Sequence, residues 1–244
     1  MKPILVYGHP LGSSMGLIAA LEWLGQPYLL SRVDMLSEMK NSAYARINRR
    51  LETPVLVTDE GQLLTETMAI ALWLEARDKE RRASFPSTTG NANRMYQMMA
   101  FINTGFTGAF SPLWSTLEME APDPLTIEVL RKYGRESVIE RHDRLEEQIG
   151  TTEFLIGNQP SLADAVFIGV ARWLDFHEVE HTSRWPKIEK LRRKLEANPA
   201  VQFATAIELG ETPKGSGQFL GHIPLSQVIE EFGKTIPFSK KLID

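Results

Sequence analysis

Residues 52–70 read ETPVLVTDEGQLLTETMAI, and the order of turn and apolar residues in this stretch decides the fold. Pro54 lacks a backbone donor, so it belongs at the opening or edge of a strand rather than inside one. Val55 to Val57 then give the apolar run of a short strand, Asp59-Glu60-Gly61 a tight hairpin, and Gln62 to Leu64 the antiparallel partner. Thr65, Glu66 and Thr67 offer caps for a helix through Leu72 to Ala76.

Working back toward the N-terminus, Ile4 to Tyr7 reads as a buried strand. Leu17, Ile18, Leu21 and Leu24 recur at helical spacing up to Gly25, a C′ residue, and Tyr28 to Val33 reads as a second strand. This βαβ unit implies two parallel strands, followed by a weakly helical or irregular connection from Met35 to Ile47. β-α-β, a connection and β-β-α predict an α/β domain with a four-stranded mixed sheet over residues 1–78.

Working forward, DKERRASFPSTTGN turns to charge, Ser, Thr, Pro and Gly, as a linker over 79–91 should. Residues 92–210 are helical in period. Met95, Met98, Met99 and Ile102 continue a helix to the break at Ser111-Pro112, and Ile127 to Ile149 carries a longer one. PSLADAVFIGVARWL is apolar nearly all round, which makes it the buried centre of an all-α domain, entered through Ser161-x-x-Asp164, a capping-box variant. Ile188, Leu191 and Leu195 mark a further helix before Asn198-Pro199. Residues 211–244 form a C-terminal extension with scattered Gly and Pro and no assigned role.

The chain has 244 residues, a net charge of −4 and no cysteine. The charge argues against a nucleic-acid partner, and the basic run from Lys187 to Lys194 reads as a solvated helix face. The absence of Cys excludes a disulfide framework, a thiolate metal site and a redox Cys-x-x-Cys, so any thiol chemistry needs an external thiol. No secretory n-region or membrane-length apolar run is present, and the expectation is a cytoplasmic protein with no membrane partner.

Two motifs invite enzymatic readings of their own. VYGHPLGSSMG places Ser14 in G-x-S-x-G between strand and helix, the order of a serine hydrolase nucleophile elbow, although only one strand precedes it. HEVEH, from His177 to His181, matches the H-E-x-x-H of zinc peptidases but lacks a third ligand at the usual spacing, so no metal is expected.

Three stretches, VYGHPLGSSMG...LEWLG, ETPVLVTDEGQLLTETMAI and FLIGNQPSLADAVFIGVARWL, together resemble the soluble glutathione transferases over roughly Ile4 to Ile207. The resemblance implies a thioredoxin-like first domain, an all-α second domain, and glutathione as co-substrate. It implies a cis Thr53-Pro54 bond, with the Thr53 backbone pairing the cysteinyl unit as an added strand. Glu66 and Thr67 at the next helix start would seat the γ-glutamyl ammonium and carboxylate. Lys40 and Asn103 complete the implied glutathione contacts. The activating hydroxyl in this family stands either on a tyrosine closing the first strand or on a residue opening the first helix. Ser13 is favoured here, with Tyr7 and Ser14 as fallbacks. Leu11, Phe106, Phe110 and Trp114 suggest an apolar wall for a hydrophobic electrophile. A homodimer is expected by resemblance. A glutathione-dependent peroxidase and a non-catalytic glutathione-fold binding protein are the alternatives.

Overall fold

The computed structural model describes residues 1–234. Strict alternation along the strands gives the first sheet two apolar faces. In β1 (Ile4–His9), Leu5 and Tyr7 join the large core shared with the helical domain, whereas Ile4 and Val6 join a smaller core on the outer face. The chain crosses over through α1 (Met15–Leu24) and returns as β2 (Tyr28–Asp34), parallel to β1 from Ile4 opposite Leu29 to His9 opposite Asp34. β3 (Val55–Val57) pairs antiparallel with the other side of β1, Val6 opposite Val55, and β4 (Leu63–Thr65) completes the hairpin. Gly61 turns that hairpin at a φ of +77°, and its N–H donates to the Thr58 carbonyl at 3.0 Å. α2 (Thr67–Arg77) follows. The weakly patterned connection after β2 folds only into two 3-10 turns, Glu38–Lys40 and Tyr44–Arg46.

The sheet has five strands rather than four, in the order β4-β3-β1-β2-β5. The additional strand, β5 (Phe219–His222), comes from the C-terminal extension and runs parallel to β2, with Tyr28 opposite Phe219 and Leu30 opposite His222. A four-residue strand containing a glycine carries almost no periodic signal of its own, and only its long-range partner fixes it. α10 (Leu225–Phe232) then lies on the outer face of the same sheet, and the residues of the expected extension from 235 on lie outside the described ones.

The second domain is all helical. α3 (Gly90–Ala100) runs through a π-helical stretch (Phe101–Phe106) and a 3-10 turn (Gly108–Phe110) into α4 (Ser111–Glu118), which has Pro112 in its first turn. α5 (Pro124–Gln148) packs beside it, and every residue of α6 (Leu162–Ala171) is buried. The α6 entry is a capping box: fully buried Asp164 accepts from the Ser161 N–H at 2.8 Å, the Ser161 hydroxyl at 2.7 Å and the Leu155 N–H at 3.0 Å. α7 (Trp173–Phe176), α8 (Pro186–Glu196) and α9 (Pro199–Glu208) close the domain. Among the described residues no helix is long and apolar enough to cross a membrane.

Candidate functional site

β1 delivers the chain to the start of α1 through a cis His9-Pro10 bond and Leu11 at a φ of +59°. Ser14, fully buried, accepts the Gly8 N–H on its Oγ at 3.0 Å and so staples the end of the strand to the start of the helix. That geometry corrects one expectation for Ser14: it is buried and not raised into solvent as a hydrolase nucleophile would be, while its own hydroxyl proton, not used in accepting the Gly8 N–H, leaves it a fallback donor. Ser13, one residue earlier, is half-buried and stands just before α1. Tyr7 is corrected as well. It is 1% exposed, and its Oη lies 3.0 Å from His222 Nε2 and 3.4 Å from the Ile207 carbonyl oxygen. Burial pushes the phenol up to about 12, with Arg32 opposing and Glu208 assisting. Tyr7 is a core tyrosine spanning to β5 and α9.

The helical domain sets the shape of this loop. Trp173 Nε1 donates to the Leu11 carbonyl at 2.8 Å, and the Arg172 guanidinium donates to the Gly12 carbonyl at 3.1 Å while pairing with Glu208 at 2.8 Å. The pair is largely buried, with side-chain exposures of 20% and 5%. α1 and α6 meet with no room for side chains between them. A Cβ on Gly16 would stand 1.9 Å from the Ala165 carbonyl oxygen, and one on Gly169 would stand 2.2 Å from the Ser13 carbonyl oxygen. Neither Arg172 nor Trp173 was singled out by sequence, because both sit at the end of a run whose apolar pattern speaks only of burial.

A second group of residues lies beside the loop. Thr53-Pro54 is cis, as the resemblance implies, and β3 begins at Val55, leaving Thr53 outside the ladder. Extending the pairing of Val6 with Val55 brings Thr53 against Gly8, where a Cβ would lie 2.6 Å from Thr53 Oγ1 and 2.4 Å from Met35 Sδ. A side chain on Gly8 would force Thr53 and Met35 to move. Glu66 precedes α2 at a φ of +73°, unusual for a residue with a side chain, and is exposed. Its carboxylate is 3.2 Å from Arg50, which also holds Glu52 at 2.8 Å. Arg50 is a residue the sequence did not single out. Since all three side chains are more than half exposed, this ion pairing adds little stability. The caps that Thr65, Glu66 and Thr67 offer are not used: α2 opens with no side-chain cap, directly after exposed Glu66 and with half-buried Thr67 as its first residue. Lys40 is exposed at the end of its 3-10 turn. Asn103 is half-buried on the π-helical stretch and, among the described residues, hydrogen-bonds to none of these groups.

The expected apolar wall is only partly present. Phe106 and Phe110 are fully buried and pack with His142 at ring distances of 4.3 and 6.2 Å, so they belong to the core and not to a ligand surface. Trp114 is half-buried, 5.2 Å from Trp173 edge-on and stacked on exposed Phe176 at 5.2 Å. Leu11 is half-buried, and its carbonyl is held by the Trp173 ring that Trp114 meets edge-on. The HEVEH segment is not a helix. α7 ends at Phe176, Glu178 takes a φ of +49°, and His181 stands exposed before a 3-10 turn. Among the described residues no three His, Cys, Asp or Glu side chains are grouped to hold a metal.

Residues 14–77 match the family model of the glutathione S-transferase N-terminal domain, and residues 122–199 match that of the glutathione S-transferase C-terminal domain. The chain belongs to the soluble glutathione transferase family. Among its relatives, glutathione S-transferase GstA of Escherichia coli O157:H7 is 23% identical over 210 residues, which span 83% of this chain and 98% of GstA. The solved glutathione transferase of Methylococcus capsulatus is 27% identical with a TM-score of 0.73, covering 84% of this chain and 98% of its own. A Sulfitobacter glutathione transferase homologue, solved with bound glutathione, has a TM-score of 0.75 at 24% identity and covers 86% of this chain and 99% of its own. The thioredoxin-like domain followed by an all-helical domain is thus the family's architecture.

Proposed function

We propose that the chain is a glutathione transferase that seats glutathione along Thr53, Pro54, Glu66 and Thr67 and stabilises its thiolate from Ser13. The observation that carries this reading is the contact of Gly8 with Thr53, which puts the strand leading to Ser13 beside the backbone that the family uses for the cysteinyl unit. A cysteinyl unit paired with the free N–H and C=O of Thr53 would point its sulfur toward the α1 start. There the Ser13 hydroxyl and the positive end of α1 both favour the anionic sulfur. At the other end, the uncapped N-terminus of α2 and Thr67 suit the γ-glutamyl carboxylate, and Glu66 its ammonium. Arg50, bridging Glu52 and Glu66, holds the Glu66 carboxylate at the rim of that seat.

The chemistry that follows is nucleophilic substitution or addition by sulfur. The thiol proton leaves to solvent, the thiolate electron pair forms the new bond to an electrophilic carbon, and in substitution the leaving group departs with its own pair. The protein contributes a lowered thiol pKa and position. Leu11, gripped by Trp173, and Trp114 beside that ring support a hydrophobic electrophile as co-substrate. A two-fold homodimer and cytoplasmic residence belong to the same reading. Glutathione titrated by calorimetry into wild type, Glu66→Ala and Thr67→Ala tests it, with each variant expected to lose about 1–3 kcal/mol of binding. Unchanged affinity in both would remove the seat. Turnover of a small aryl halide only in the presence of glutathione separates an enzyme from a binding protein.

A further inference from the structure

The outer face of the first sheet carries Ile4, Val6, Val33, Val55 and Val57, and the connection between β2 and β3 supplies only two 3-10 turns to cover it. α10 does the covering. Its Val228 and Ile229 are buried against that face together with Tyr44 and Ile47, and Phe232 packs alongside. The helix is fastened at its end, where the Arg46 guanidinium donates to the Gly233 carbonyl at 3.3 Å and the Lys234 N–H donates to the Arg46 carbonyl at 2.9 Å. The approach to it is fastened too. Buried Glu22 accepts from the Ser216 hydroxyl at 3.1 Å and from Tyr28 at 2.6 Å, and the Ile223 N–H donates to the Leu30 carbonyl at 2.9 Å.

The residues that α10 covers lead directly to the glutathione seat. Tyr44 Oη donates to the Glu52 carbonyl at 2.9 Å, Asn48 Nδ2 donates to the same oxygen at 2.7 Å, and Asn48 Oδ1 accepts the Arg50 N–H at 3.0 Å. Tyr44 and Asn48 are both buried. We infer that the C-terminal segment is a brace for the glutathione seat: Val228 and Ile229 act as positioning residues that, through Tyr44 and Asn48, hold the backbone of 48–53 where Thr53 can pair with the tripeptide. The inference rests on Thr53 being that seat. An eight-residue helix has too few turns to persist alone, so α10 stays folded only while docked, and the order it lends to 48–53 depends on that docking.

Val228→Asp in the full chain places a carboxylate in the α10 contact, and Tyr44→Phe removes only the hydroxyl that grips Glu52. The brace predicts a ten-fold or greater loss of glutathione affinity in Val228→Asp, and a loss of about three- to ten-fold in Tyr44→Phe, the size of one hydrogen bond. Amide exchange across 48–53 should quicken in both, while kcat at saturating glutathione and the pKa of the bound thiol stay within two-fold and a few tenths of a unit. A purely structural role would lower thermal stability without separating KM from kcat. Wild-type affinity and unchanged exchange at 48–53, with exchange quickened only across 219–234, would overturn the brace. If Val228→Asp unfolds globally, the milder Val228→Ala decides by the same two readouts, and Tyr44→Phe then reports only on the grip on Glu52. Should the wild-type protein bind no glutathione, the functional reading falls, and the exchange at 48–53 alone decides whether α10 orders that loop.

Discussion

Replacing Ser13 by alanine removes one hydroxyl and touches no packing contact of the core, since Ser13 is half-buried while its neighbour Ser14 carries the staple to Gly8. The Tyr7 phenol is buried between His222 and Ile207, and Ser14 Oγ accepts the Gly8 N–H but keeps its own proton, so Ser14→Ala is the control for a substitute donor. A hydrogen bond to a charged acceptor contributes roughly 1.5–3 kcal/mol. At about 1.4 kcal/mol per unit, its loss raises the pKa of bound glutathione by about one to two units, while the α1 dipole continues to favour the anion. Turnover at neutral pH is then expected to fall about ten- to a hundred-fold and to recover in alkaline solution, where glutathione, with a free thiol pKa of about 8.5, ionises unaided. Glutathione affinity should stay within a few-fold. Thiolate absorbance of the enzyme–glutathione complex, titrated against pH, is the assay. Ser14→Ala serves as the contrast, because it orphans the buried Gly8 N–H and should cost about 1–3 kcal/mol in urea unfolding whatever it does to turnover. A bound-thiol pKa that stays put in Ser13→Ala and moves in Tyr7→Phe would refute the assignment.

Three further outcomes are expected. Glu208→Ala leaves the Arg172 charge in a largely buried site and loosens its hold on the Gly12 carbonyl, so denaturant unfolding should show a loss of about 3 kcal/mol, with turnover reduced as well; a loss under 1 kcal/mol would mean solvent already satisfies the pair. His142 is buried among aromatic rings, and burial holds its imidazole down at about 4, so its contribution to stability is complete above pH 6.5 and is lost as pH falls toward 4; His142→Gln should flatten that acid limb by up to about 3 kcal/mol. Asp164 acts in the opposite sense, since burial raises it to about 6 and the stability it brings below pH 4 is lost as pH rises through 6, which is why the comparison must be made against the His142 variant and not against the whole curve. Gly169→Ala drives a methyl group into the Ser13 carbonyl and should lower both the melting temperature and turnover; a variant that keeps wild-type activity would show that α1 can shift without harm to the loop.

The sequence made legible whatever is local. The hairpin at Gly61, the Ser161–Asp164 box, the opening turn before α1 and the Thr53-Pro54 bend are each written in a few adjacent residues whose backbone demands are specific. What it could not separate were residues whose role depends on which distant element covers them. Phe106, Phe110 and Tyr7 have the side chains of a ligand wall or an active-site hydroxyl, but α5, α6, α9 and β5 close over them. Arg50 and Arg172 look like ordinary surface cations until the fold brings Glu66 and the Gly12 carbonyl to them. β5 is the extreme case, because its four residues gain strand character only from an edge formed nearly two hundred residues earlier.

The meeting of Gly16 with Gly169 has a consequence for how such a chain can be recombined. The linker around 79–91 looks like the natural place to join halves of two homologues, yet the first turn of α1 is moulded by the end of α6 and by Arg172 and Trp173 beyond it. A chimera cut at the linker would pair one parent's serine turn with the other parent's mould. The heritable unit of this loop is therefore split across both halves, and exchanges that keep 8–17 together with 165–173 should yield active hybrids where a clean swap of domains does not.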